Sequence, residues 1–118
     1  MSTYHAVVWM DHSESHVLMF DQEHIERQLI KSKSHHKHQG KAHDMGTFFK
    51  SVSEALEATH EILITGPGST RVEFQEWCKV HAHQTASRIV DSIKSDHPSD
   101  GQVVAMAKKY FIKYDQTH

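Results

Sequence analysis

A single cysteine, Cys78, stands in the chain of 118 residues, and one thiol excludes an internal disulfide. No apolar run approaches the roughly 20 residues needed to cross a bilayer, and no basic stretch followed by an apolar core opens the sequence. The expectation is therefore a cytoplasmic location without a membrane partner. There is no internal repeat, no Gly-x-Gly-x-x-Gly fingerprint, no Walker lysine and no nucleophile-elbow serine. Cys78 has no obvious partner base, and its position in an amphipathic pattern suits a small core residue. These absences point to no particular catalytic chemistry, so the expectation is a non-enzymatic protein with no catalytic residue, no cofactor and no metal.

What is present is one domain's worth of chain, residues 1–118, because a second core would be too small to stabilise itself. Apolar residues make up a lean 37%, but they cluster into short runs able to form one interior. The formal charge of -2 hides an uneven distribution. From Arg27 to His43 there are five basic and no acidic residues, which leaves eight basic against fifteen acidic elsewhere. His35, His36, His38 and His43 lie in the same stretch and titrate near pH 6.5, so its positive charge rises in mild acid. By composition, Lys31 to His43 seeks a polyanion.

The patterning predicts alternating elements. Tyr4–Met10 carries apolar residues on both alternating faces, as a strand covered on both sides does. Ser15–Phe20 completes a hairpin, and the mixed, charged His24–Ser32 suits a third strand near an edge. Residues 32–44 bury too little to offset the entropy of ordering, so a mobile loop is expected there. Phe48, Phe49, Val52, Ala55 and Leu56 then recur at helical spacing, with the helix running from about Met45 to about Ala58. Glu61–Thr65 reads as a central strand ended by Gly66-Pro67-Gly68.

Thr70 with Glu73 forms a capping-box pattern ahead of a helix whose face is Phe74, Trp77, Cys78 and His81. Arg88–Lys94 supplies a fifth strand. Ser99 with Gln102 caps a last helix, running to about Lys113, whose stripe is Val103, Ala107, Tyr110, Phe111 and Tyr114. Pro98 restricts His97 to extended conformations and fixes the approach to that helix. Antiparallel opening strands followed by β-α-β crossovers imply a mixed five-stranded sheet in a three-layer α/β/α domain.

Several sites follow. The turn Gly66, Gly68, Ser69 and Thr70 precedes a helix start whose amides suit an anion. Asp11, Glu14 and Asp91 near strand ends raise a two-metal nuclease, against which turn chemistry explains Asp11 and Glu14 as well. The histidines of the basic stretch offer nitrogen ligands, but without a cysteine pair or a helical His-x-x-x-His spacing.

Ile62-Leu-Ile-Thr-Gly-Pro-Gly68 followed by Phe74 resembles the central domain of Pelota and of archaeal and eukaryotic class 1 peptide-chain release factors. Tyr4-His-Ala-Val-Val-Trp9 and Asp96-His-Pro-Ser-Asp-Gly-Gln102 also look like small standalone bacterial translational machinery proteins. The resemblance covers about Tyr4 to Lys113 and implies a ribonuclease H-like topology. In release factors the loop before the first long helix carries a Gly-Gly-Gln tripeptide; here it reads His35-His-Lys-His-Gln-Gly40, so Gln39 lacks the two glycines. Pelota likewise resembles this fold with a basic loop in place of that motif.

The resemblance therefore implies a ribosome-associated or RNA-binding module. Its contacts would come from Lys31, Lys33, His35, His36, Lys37, His38, Gln39, Gly40, Lys41 and His43, with the ribosome or structured RNA as partner. A homo-oligomer is compatible with it. Two other readings remain: a metal-binding module built on His35, His36, His38 and His43, and a residual peptidyl-tRNA hydrolase acting through Gln39.

Overall fold

The computed structural model describes residues 4–21, 23–32 and 45–117. Five strands form one mixed sheet in the order β3-β2-β1-β4-β5: β1 is His5–Met10, β2 Glu14–Phe20, β3 Ile25–Lys31, β4 Glu61–Gly66 and β5 Ile89–Lys94. β1 pairs antiparallel with β2 and parallel with β4, β2 pairs antiparallel with β3, and β4 pairs parallel with β5.

The double-sided apolar pattern of β1 has the expected cause. Ala6, Val8 and Met10 join one core with Ile62, Ile64, Phe74 and Cys78, while Val7 and Trp9 join a second with Leu63, Val103 and Phe111. The first core lies under helices α1 (Gly46–Ala55) and α2 (Thr70–His81); the second lies under α4 (Asp100–Thr117). Helices thus cover both faces, giving the three-layer mixed sheet. β3 lies at the edge as expected, and most of its side chains are exposed.

The structure corrects some boundaries. α1 stops at Ala55 instead of about Ala58, because the chain turns at Leu56 and both the amide and the hydroxyl of Thr59 donate back to the Leu56 carbonyl. α2 starts at Thr70 with Ser69 as its N-cap, so the Thr70–Glu73 capping box is not formed; Ser69 Oγ instead contacts Glu73 Oε2 at 3.1 Å, and Thr70 is buried. A short helix α3, His83–Arg88, joins α2 to β5 and was not anticipated. α4 runs on to Thr117. The Ser99–Gln102 capping box is formed reciprocally, with the Ser99 amide donating to Gln102 Oε1 at 2.9 Å and the Gln102 amide to Ser99 Oγ at 3.2 Å.

β4 ends where only glycine fits. Gly66 has φ +153°, and a Cβ there would overlap the Met10 carbonyl oxygen on the neighbouring strand. Gly68 has open space at the same position. Gly66→Ala should therefore lose about 2–4 kcal/mol of stability, whereas Gly68→Ala should stay within about 0.5 kcal/mol. Urea denaturation of the two variants measures the contrast, and equal losses would contradict it.

Candidate functional site

The carboxyl ends of the parallel strands β1, β4 and β5 share one end of the sheet with the β1–β2 turn and the end of β3. In open α/β sheets this end is where ligands bind. The β1–β2 turn is organised by Asp11, whose Oδ1 accepts from the Ser13 amide at 2.9 Å, the Ser13 hydroxyl at 2.9 Å and the Glu14 amide at 3.0 Å. Burial raises the Asp11 carboxyl, but these hydrogen bonds and nearby His12 outweigh it and hold the group below its ordinary value.

Beside the turn, His16 of β2 is clamped by two carboxylates. Its Nε2 lies 2.9 Å from Glu14 Oε2, and its Nδ1 lies 3.0 Å from Asp100 Oδ1 at the start of α4. Arg27 Nε on β3 approaches the other Asp100 oxygen at 3.9 Å. The Trp9 indole donates to the Asp96 carbonyl at 2.7 Å, and its ring meets His16 edge-on and His97 at a tilt, with centroids 5.5 and 5.0 Å apart. Trp9, Glu14, His16, His97, Pro98 and Asp100 line a cavity of about 190 Å³. The arrangement fastens the hairpin to the last helix and presents imidazole and carboxylate groups to the cavity.

The predicted binding residues divide. Lys31 ends β3 opposite Glu14 and is exposed, and the Ser32 amide donates to the Ser13 carbonyl at 2.9 Å. The start of the basic stretch is thus tied to the β1–β2 turn. Lys33, His35, His36, Lys37, His38, Gln39, Gly40, Lys41 and His43 lie outside the described residues. In the Gly66–Thr70 turn, Glu73 supplies a carboxylate to the first turn of α2, and Arg71 donates to the Gly66 carbonyl at 3.4 Å and to Ser92 Oγ at 2.7 Å. Charge at that helix start is therefore balanced from within the chain.

The three carboxylates of the nuclease reading are not gathered. Asp11 and Glu14 share the β1–β2 turn, whereas Asp91 sits within β5 and accepts from the Tyr110 hydroxyl at 3.2 Å. Cys78 is fully buried in the first core, and burial pushes its thiol up to about 12, which suits a packing role.

A second cluster lies at the opposite end of the sheet. His5 and Glu61 open β1 and β4 and are register partners, and Asp115 reaches them from the last turn of α4. His5 Nε2 lies 3.0 Å from Glu61 Oε1 and 3.3 Å from Asp115 Oδ2. Burial, then the charge and contact of Asp115, raise the Glu61 carboxyl, with His5 opposing. Sequence reasoning missed both histidine clusters. The available signal was Asp115 continuing the Ala107–Phe111 stripe at a further helical step, an acid on a face otherwise apolar.

No protein-family profile matches the chain, and no curated protein is detectably similar to it in sequence. Solved structures do share its fold. Thermoplasma acidophilum Pelota superposes with a TM-score of 0.66 at 23% identity, over 87% of this chain and 31% of Pelota. An archaeal translation termination factor, aRF1, gives 0.60 at 11% identity over 84% of this chain and 32% of its own. S. cerevisiae Dom34, a translation termination-like factor involved in RNA quality control pathways and interacting with Hbs1, gives 0.61 at 12% identity over 89% and 32%. The chain spans about a third of the length of these proteins, and at such identities the likeness shows the fold: that of one domain of the Pelota and release-factor proteins.

Asp11 yields a prediction in which the sign matters. A native carboxyl held below its ordinary 3.8 contributes stability that is present above pH 3.8 and is lost as the pH falls through the lower native value. Asp11→Ala should cost about 1 kcal/mol at pH 6, and the gap from the parent should narrow once the pH is taken well below 3.8. Urea titrations at the two pH values read this, and a gap that widens in acid would refute the turn's electrostatics.

Proposed function

We propose that this chain is a translation-related, non-enzymatic module that binds the ribosome or structured RNA through the basic stretch from Lys31 to His43. The observation that carries the reading is the fold: aRF1 and Dom34, both described as acting in or like translation termination, contain a domain of this architecture. The charge distribution supports it independently, with five cations and no acid between Arg27 and His43 on an otherwise acidic chain. Lys33, Lys37 and Lys41 supply phosphate contacts, while His35, His36, His38 and His43 add hydrogen bonds or stacking on exposed bases.

Gln39 lacks the two preceding glycines of the release tripeptide, which favours binding over hydrolysis. The Ser32 amide, at the start of the stretch, donates to the Ser13 carbonyl of the β1–β2 turn, so the described end of the stretch lies at the carboxyl end of the sheet. The turn at Gly66, Gly68, Ser69 and Thr70 lies at the same end, but Glu73 already stands at its helix start, so the proposed interface does not depend on it. No helix among the described residues is long and apolar enough to cross a membrane, and the site of action proposed is the cytoplasm.

Co-sedimentation with ribosomes across a salt series tests the proposal. Binding should weaken steeply with salt, and changing Lys33, Lys37 and Lys41 together to Glu should abolish it at moderate salt. Each lost phosphate contact should also lower the log–log salt slope by about 0.7–0.9. Unaltered co-sedimentation of the triple variant would overturn the assignment of the stretch.

A further inference from the structure

The cluster at the amino ends of the strands carries charges that its own residues do not balance. Among the described residues, His5 Nε2 and Glu61 Oε1 are buried atoms with no directed hydrogen bond, although they lie only 3.0 Å apart. Asp115 Oδ2 closes the group at 3.3 Å from the same nitrogen, and one ligand atom from each of the three residues falls within 4.8 Å of the other two.

Two carboxylates thus converge on one imidazole, with the His5 and Glu61 side chains 20% and 18% exposed and Asp115 closing the group from the surface at 48%. One of them stands at the C-terminal end of α4, where the helix dipole disfavours an anion. Proximity of two acids with one imidazole is costly unless a cation offsets it.

We propose that His5, Glu61 and Asp115 form a three-ligand site for a divalent metal ion, best suited to zinc. Zinc–nitrogen and zinc–oxygen bonds of about 2.0–2.2 Å in a tetrahedron place neighbouring ligand atoms roughly 3.3–3.6 Å apart, close to the observed 3.0 and 3.3 Å. One imidazole and two carboxylates neutralise the ion's two charges. A groove of about 490 Å³, lined in part by Tyr4, His5, Phe20, Phe111 and Asp115, adjoins the cluster, and water from it would complete the shell. Such an ion fastens the end of α4 to the first residues of β1 and β4.

The histidine-rich stretch would itself take up zinc, so the test uses a variant with His35, His36, His38 and His43 changed to Ala. Calorimetric titration of this metal-stripped variant with zinc chloride should show one saturable equivalent, and zinc should raise its thermal midpoint. Adding Asp115→Asn should weaken binding at least about ten-fold and remove the thermal shift. Because Asp115→Asn also relieves repulsion, its metal-free midpoint should equal or exceed that of the background, which separates metal loss from misfolding. Glu61→Gln should behave alike, and Asp115→Asn decides if that variant fails to fold. No saturable equivalent, or affinity unchanged by Asp115→Asn, overturns the site.

Discussion

The pairing of β1 on both sides is the constraint from which the rest of the structure follows. β1 holds β2 antiparallel and β4 parallel, and its residues alternate between the two cores, so helices must cover both faces. β1 and β4 are brought so close at their carboxyl ends that residue 66 has to be glycine. The parallel register also sets the opposite end, where His5 and Glu61 become neighbours because each opens its strand. The His5 cluster is therefore a consequence of strand pairing, whereas the His16 cluster depends on α4 docking beside β2.

Much of the fold was legible for physical reasons. Apolar residues on both faces of Tyr4–Met10 demand burial on both sides, and the charged stretch that became β3 demands an edge. Ser99 and Gln102 have the spacing and chemistry to satisfy each other's amides, and they do. Thr70 misled because Ser69 beside it is an equally good cap, and packing placed Thr70 inside. α3 left almost no trace, since six residues with Ala86 and the buried Thr85 make no stripe. The clusters were hidden for a different reason: His16 meets Asp100 across 84 positions and His5 meets Asp115 from the far end of the chain, and local pattern does not report such distances.

Charge is divided along the same lines as structure. The described body carries the acids: Asp11 and Glu14 in one turn, Asp100 at a helix start, Glu61 and Asp115 at the far end. Several are balanced internally, by turn amides, by His16 or by Arg27. In the sequence, cations without an intervening acid are concentrated from Arg27 to His43. An acid-rich body that concentrates positive charge in one connecting stretch suits the polyanionic partner proposed for it, on a fold shared with one domain of Pelota, aRF1 and Dom34.

The claim that the sheet is scaffold and the basic stretch is the binding element is tested most directly by amide hydrogen exchange on the full chain with and without ribosomes. The account predicts new protection across residues 31–43 on ribosome addition, with β1, β4 and the α4 face unchanged. Protection confined to α4 or to the β5 edge, with none in residues 31–43, would contradict it.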